Sequence, residues 1–125
     1  MNTSFAPAFA ALSLLVACTA PHAASPIKTA NGVLTDPAGM TLYVFDKDVA
    51  GSGKSVCNGD CAVKWPPLAA STSDMASGNY AVIVRDDGAK QWSYKGKPLY
   101  LWIKDQKPGD ATGDGVAGVW HTARP

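Results

Sequence analysis

The sequence contains no glutamate: all 10 of its acidic residues are aspartate. Only 17% of its residues are charged, and 125 residues include 12 glycines and 9 prolines. This composition excludes a long helix or a coiled coil, since Glu is a strong helix former and Gly and Pro interrupt helices. The formal net charge is +1 and no basic run occurs. Nucleic acid is therefore not an expected partner, and the length allows one small domain.

The N-terminal 24 residues contain no Asp, Lys or Arg. The apolar run over residues 5–17 is too short to span a bilayer, and it predicts an export signal. Two processing sites remain open: residues 15–18 are typical of a lipobox, in which Cys18 is lipidated, and residues 22–24 are typical of ordinary signal-peptide cleavage near Ala24. We favour lipidation of Cys18. Either site predicts an exported protein of the periplasm or cell envelope, and lipidation would add an anchor in the outer membrane.

An internal repeat organises the rest of the chain. Residues 39–48 and 96–105 share the pattern G-x-x-L-Y-x-[F/W]-x-K-D, and each copy is followed by a Gly-rich loop and a tryptophan, Trp65 or Trp120. The chain is therefore a two-fold repeat. Residues 25–125 form the duplicated β domain, with repeat one at about 32–70 and repeat two at about 80–125.

The repeated pattern also predicts the fold class. In each copy the tyrosine and the aromatic residue two positions later share one face of a strand, and aliphatic residues share the other face. Turn signals at residues 36–39, 86–88 and 95–96 separate about six short strands. Asp60 is expected to cap one helical turn that ends before Pro66. The predicted fold is mainly β: a small two-repeat antiparallel β module, sandwich- or barrel-like, with at most one short helix.

The repeated residues resemble the Yx(F/W/Y)xxD motif of predicted bacterial secreted lipoproteins, the group described as a secreted repeat of unknown function. The likeness extends to C-N-G-D-C-A-V-K-W-P-P-L at residues 57–68 and to the Gly-rich segment before G-V-W at 118–120. It covers residues 32–125 and implies an envelope location and a duplicated β module, without implying an activity. The motif residues are Tyr43, Phe45, Asp48, Trp65, Tyr100, Trp102, Asp105 and Trp120.

The cysteines Cys57 and Cys61 allow two interpretations. An oxidising compartment favours a disulfide, which would pin the turn that leads to Trp65. The alternative is a periplasmic copper-binding or redox accessory protein, in which Cys57 and Cys61 ligate a metal with a third ligand such as His121. We predict the disulfide, with no metal site and no cofactor.

Two further groups of residues could carry function. Aspartates in the Gly-rich loops could bind calcium, although Asp in such loops more often caps turns. Trp92 and Tyr94 share a strand face and could form a stacking platform, although most aromatics of so small a domain are expected in the core, with each indole N–H paired. No Ser-His-Asp spacing indicates an enzyme. We therefore predict a non-catalytic binding or structural module whose partner is an envelope protein or glycan, with membrane contact through the lipid. The aspartates concerned are Asp46, Asp48, Asp105, Asp110 and Asp114.

Overall fold

The computed structural model describes residues 26–125, so the predicted signal segment and Cys18 lie outside the described residues. Within this part of the chain, the secondary structure consists of seven short strands, one helix and one 3-10 turn. In chain order these are β1 (Lys28–Ala30), β2 (Val33–Thr35), β3 (Tyr43–Phe45), α1 (Asp60–Lys64), β4 (Tyr80–Val84), β5 (Lys90–Tyr94), β6 (Lys97–Pro98), the 3-10 turn Val116–Gly118 and β7 (Trp120–Thr122).

The strands form three antiparallel sheets, in the orders β1-β2, β3-β7 and β4-β5-β6. The mainly β, antiparallel fold is therefore confirmed, with seven strands rather than about six. Over residues 26–125 the strands do not close into a barrel. The turn predicted at residues 95–96 is present: Lys95 and Gly96 both have positive φ, 48° and 79°, as a two-residue type I′ hairpin requires.

The two motif segments meet at their tyrosines. They are residues 42–45, which include β3, and residues 99–102, which follow β6 and in which Tyr100 forms isolated bridges. The Tyr43 N–H donates to the Tyr100 carbonyl at 2.8 Å, and the Tyr100 N–H donates back to the Tyr43 carbonyl at 2.9 Å. The residue before each tyrosine accepts a hydrogen bond at an equivalent position. The Ala123 N–H donates to the Leu42 carbonyl at 2.8 Å, and the Leu68 N–H donates to the Leu99 carbonyl at 2.9 Å. The repeats are thus related by an approximate two-fold axis between Tyr43 and Tyr100.

Each motif segment pairs with residues at or just after the tryptophan of the other repeat. In the first repeat, β3 pairs with β7 in the register Phe45 to Trp120. In the second repeat, Tyr100 bridges to Pro67, and the Leu101 N–H donates to the Pro66 carbonyl at 2.7 Å. Neither repeat can complete its own strand pairing alone, so the two repeats form one folding unit.

The predicted alternation of faces is confirmed by two separate cores. Aliphatic Leu42 and Leu99 lie in one cluster with Ile27, Leu34, Leu68, Trp92 and Ala123. On the other side of the two motif segments the buried residues are Tyr43, Cys57, Trp65, Tyr100, Trp102 and Trp120. The second cluster contains the motif aromatics, and it is referred to below as the aromatic core.

The predicted helix cap is wrong. Helix α1 includes Asp60 as its first residue, and its N-cap is Gly59. No side chain in the described part of the chain caps it. Gly59 has φ 59°, a left-handed conformation that glycine adopts without steric cost. The helix therefore begins at Asp60, one residue earlier than a cap at Asp60 would place its start. The helix ends before Trp65, as the two prolines at 66 and 67 predicted.

Candidate functional site

Reciprocal hydrogen bonds join each motif tyrosine to the motif aspartate of the other repeat. The Tyr43 hydroxyl donates to Asp105 Oδ2 at 2.6 Å, and the Tyr100 hydroxyl donates to Asp48 Oδ2 at 2.5 Å. Both tyrosines are completely buried. Hydrogen bonds to a charged acceptor are shorter and stronger than neutral ones. The Tyr and Asp of the motif therefore cross-link the repeats.

Burial sets the protonation of these groups. It raises the pKa of Tyr43 above its ordinary value of 10.0, and the hydrogen bond to Asp105 raises this pKa further. Burial followed by the bond to Asp48 does the same to the pKa of Tyr100. The pKa of Asp48 is raised above 3.8 by burial, against the opposing effects of the Tyr100 hydroxyl, the Val56 N–H and the Arg85 charge. Both phenols are therefore held as neutral donors.

A buried arginine extends the Asp48–Tyr100 pair into a network that no sequence pattern predicted. Arg85 is only 5% exposed, and its Nη1 donates to Ser55 Oγ at 2.9 Å and to Gln91 Oε1 at 2.7 Å. Ser55 Oγ in turn lies 2.6 Å from the Tyr100 hydroxyl oxygen. Arg85 Nη2 also donates to the Cys57 carbonyl. The guanidinium is satisfied by these acceptors and holds the Cys57 loop against β4 and β5.

Four motif rings form a continuous stack in the aromatic core. Trp65 and Trp120 stack at 3.8 Å between ring centroids with 5° between their planes. Trp102 lies on the other face of Trp65 at 3.9 Å, and Phe45 lies on the other face of Trp120 at 4.2 Å. The order is therefore Phe45, Trp120, Trp65, Trp102, with rings of the two repeats alternating. The four motif aromatics other than the tyrosines therefore pack against one another.

The predicted disulfide between Cys57 and Cys61 is present. Cys57 is completely buried in the aromatic core, and the Trp65 N–H donates to the Cys61 carbonyl at 2.8 Å. The disulfide therefore fixes the turn that presents Trp65. His121, one candidate third ligand of the copper alternative, pairs through its Nε2 with Asp46 Oδ2 at 2.8 Å. Cys57, Cys61 and His121 do not form a metal-binding cluster. Over residues 26–125, no three or more His, Cys, Asp or Glu side chains come together in a way that could hold a metal ion.

The loop aspartates accept hydrogen bonds from the protein itself. Asp48 Oδ1 accepts from the Val56 N–H at 2.8 Å, and Asp105 Oδ1 accepts from the Thr112 N–H at 3.0 Å. Asp110 Oδ2 accepts from the backbone at Gln106 and Lys107, and Asp114 Oδ1 accepts from the Thr122 N–H at 3.1 Å. The aspartates therefore cap turns, which is the alternative to calcium binding that the sequence favoured.

The stacking-platform alternative is wrong for Trp92, which is completely buried among aliphatic residues. Tyr94 is half-buried, and its ring lies 5.0 Å from that of Tyr80. The expectation that each indole N–H is paired is also wrong in two cases. Within residues 26–125, Trp92 Nε1 and Trp102 Nε1 are buried and have no hydrogen-bond partner. Packing of the large rings outweighs the cost of these unpaired N–H groups.

A pocket lined by both charged and apolar side chains opens on one side of the β3-β7 pair, with a volume of about 280 Å³. It is called the polar pocket below because of its charged groups. Asp46 and His121 face each other in its wall, and the β5–β6 turn supplies Lys95 and Lys97. In the described part of the chain, neither lysine forms an ion pair, and the same holds for Arg124. The pocket therefore carries surplus positive charge. Its lining is Val44, Asp46, Tyr94, Lys95, Lys97, His121, Thr122, Ala123 and Arg124.

The interlocked strands, the exchanged Tyr–Asp bonds and the shared ring stack define a duplicated β module. The chain belongs to the family described as a secreted repeat of unknown function, whose model matches residues 25–69 and 81–124. The resemblance inferred from the motif residues is thereby confirmed, and the protein is an exported module of unassigned activity. No curated protein and no solved structure matches it. No helix over residues 26–125 is long and apolar enough to cross a membrane.

Proposed function

We propose that this protein is a non-catalytic envelope module, anchored by a lipid on Cys18, that binds an envelope glycan or protein through the polar pocket. One observation carries the proposal: the motif side chains are engaged in the buried contacts between repeats. Tyr43 and Tyr100 are completely buried and each donates to an aspartate of the other repeat. Groups held in this way are positioned for stability rather than for contact with a substrate.

Since the motif tyrosines and tryptophans are buried between the repeats, a binding partner would meet other side chains at the surface. The polar pocket is concave and opens to solvent. It brings a His–Asp pair together with three cationic side chains that form no ion pair over residues 26–125. Concave sites with a few convergent polar groups are the usual form of small-ligand sites. The pocket lies where β3 of the first repeat, β7 of the second and the β5–β6 turn meet. A ligand there would contact both repeats.

The binding role is tested by NMR titration of the isotope-labelled domain with fractions of an envelope extract. We expect one fraction to shift the backbone amides of Lys95, His121 and Thr122, and the bound compound to be recovered chemically unchanged by mass spectrometry. Shifts confined to other surfaces would contradict the assignment of the pocket. Recovery of a converted product would overturn the non-catalytic role.

The anchor is tested separately by the intact mass of protein purified from its native envelope, before and after reduction with thiol alkylation. We expect a mass that includes diacylglycerol and acyl groups, with two thiols that appear only after reduction. The variant Cys18→Ser should lose the lipid mass and leave the membrane fraction. A lipid-free mass beginning near Ala24, with two free thiols in the unreduced protein, would instead favour a soluble periplasmic protein.

A further inference from the structure

The two-fold relation between the repeats gives the backbone of the polar pocket an equivalent elsewhere in the domain. Asp46 N–H donates to the Val119 carbonyl at 2.8 Å, and at the equivalent place Ile103 N–H donates to the Lys64 carbonyl at 3.0 Å. Asp46 in one repeat thus occupies the backbone position of Ile103 in the other. Ile103 is 57% exposed, so this position faces solvent without any need for a charge.

The same comparison holds for two other pocket residues. Ala123 and Leu68 are equivalent positions, because they make equivalent bonds to the two motif segments. Counted from these positions, His121 corresponds to Pro66, and Arg124 corresponds to Ala69. At the place that the two-fold axis relates to the pocket, the same backbone therefore forms with isoleucine, proline and alanine instead of Asp46, His121 and Arg124. Since the fold does not require ionisable side chains there, their presence in only one copy points to a role in recognition.

We propose that the polar pocket binds the oxyanion group, a carboxylate or a phosphate, of a small ligand. This inference rests on the proposed binding role of the same pocket and adds the chemistry of the ligand. Lys95, Lys97 and Arg124 supply up to eleven N–H donors around one cavity. Among residues 26–125, Asp46 is the one carboxylate in the lining, and it already pairs with His121. Arginine and lysine side chains that converge on a cavity are typical partners of carboxylate and phosphate groups.

The geometry of the lysines supports this assignment. Lys95 and Gly96 form the tight turn, so Lys95 and Lys97 project from a short and well-fixed hairpin rather than from a long loop. Lys95 Nζ lies 5.3 Å from the centre of the Tyr94 ring, a contact that orients the side chain beside the cavity. A volume of about 280 Å³ accommodates a small molecule or one terminal group of a polymer.

The test uses three probes with the folded domain, reading amide shifts by NMR. The probes are inorganic phosphate, N-acetylmuramic acid, and N-acetylglucosamine, which has the same sugar ring without the lactyl carboxylate. We expect at least one anionic probe to shift the amides of Lys95, His121 and Thr122, and N-acetylglucosamine to leave them unchanged. Binding of phosphate alone would indicate a phosphate ligand, and binding of the muramic acid alone would indicate a carboxylate. Equal binding of the neutral sugar would overturn the inference.

Charge-matched variants separate the pocket from general electrostatic attraction. In the variant Lys95→Gln/Lys97→Gln/Arg124→Gln we expect anion affinity to fall by about tenfold or more. The control Lys28→Gln/Lys54→Gln/Lys64→Gln removes the same charge outside the pocket and should retain affinity near that of the unaltered domain. Both variants should keep the melting temperature of the unaltered domain, because the substituted side chains are exposed or make no ion pair in the described region. Equal losses of affinity in the two variants would overturn the inference.

The outcome also distinguishes this inference from the proposed function. If neither anion binds but an envelope fraction still shifts the pocket amides, the oxyanion assignment is wrong and the binding role stands. If the anions bind with the expected loss in the pocket variant while a bound envelope compound is recovered as a converted product, the oxyanion site stands and the non-catalytic role is wrong.

Discussion

Tyr43 and Asp105 lie 62 residues apart in the chain, yet the Tyr43 hydroxyl donates a 2.6 Å hydrogen bond to Asp105 Oδ2. The equivalent bond joins Tyr100 to Asp48, so each copy of the motif stabilises the other copy. A single repeat would leave a buried phenol without an acceptor, and an unsatisfied buried polar group costs about 1–3 kcal/mol. Duplication is therefore part of the way this domain folds.

The Tyr43–Asp105 bond should be measurable in a double-mutant cycle. We expect Tyr43→Phe to lower the free energy of unfolding by about 2 kcal/mol, because it removes a buried hydrogen bond to a charged group. In the double variant with Asp105→Asn, the two losses should be less than additive, with a coupling energy of about 1 kcal/mol. Urea unfolding monitored by tryptophan fluorescence provides the values. Tyr94→Phe is the control, with an expected change below about 0.5 kcal/mol. Strict additivity would contradict the bond.

Alkaline pH should unfold the domain through its buried tyrosines. The pKa values of Tyr43 and Tyr100 are raised, so the folded state keeps both protons where the unfolded chain loses them above about pH 10. Their contribution is fully present below pH 10 and falls above it, by about 1.4 kcal/mol per pH unit for each phenol. Unfolding curves between neutral and alkaline pH give the slope, which should be shallower in Tyr43→Phe/Tyr100→Phe. Phenolate absorbance from these two residues before unfolding would contradict the prediction.

The disulfide should contribute modestly to stability. A bridge between Cys57 and Cys61 closes a loop of about five residues, and such a short loop is expected to stabilise the fold by about 2 kcal/mol. We expect Cys57→Ala/Cys61→Ala to remain folded with a lower melting temperature. Reductant should lower the melting temperature of the unaltered domain and leave that of the double variant unchanged. Complete unfolding on reduction would show that the bridge is a larger part of the core than its loop length indicates.

Two glycines with similar backbone conformations should differ sharply in tolerance to alanine. Gly96 has φ +79°, and a Cβ atom there would lie 2.6 Å from the Gly51 backbone nitrogen. Gly88 has φ +84°, and no atom of the described residues outside its immediate neighbours lies within 4 Å of a Cβ placed there. We expect Gly88→Ala to cost about 1 kcal/mol from backbone strain alone. Gly96→Ala should cost about 3 kcal/mol, because the Gly51 backbone must also move. Equal losses in thermal unfolding would show that the loop containing Gly51 yields easily.

The sequence determined much of the local structure. The offset between the repeats, the alternation of Leu42 and Tyr43, and the Lys95-Gly96 turn all depend on near neighbours in the chain, so the two-fold repeat, the two faces and the hairpin could be predicted. The disulfide followed from short spacing and export. Helix α1 was predicted one residue out of place, because the left-handed conformation of Gly59 moved its start.

Contacts across the two-fold axis were decided only by the tertiary structure. The sequence marked tyrosine, aspartate and tryptophan as recurring residues, but the partner of Tyr43 could have been Asp48 of its own repeat rather than Asp105. Likewise, nothing local indicates that Arg85 is buried or that His121 meets Asp46. Local patterns fix strand faces and turns, whereas partners far apart in the chain are selected by how the strands of the two repeats pair. That pairing also brings Lys95, Lys97 and Arg124 together into one pocket.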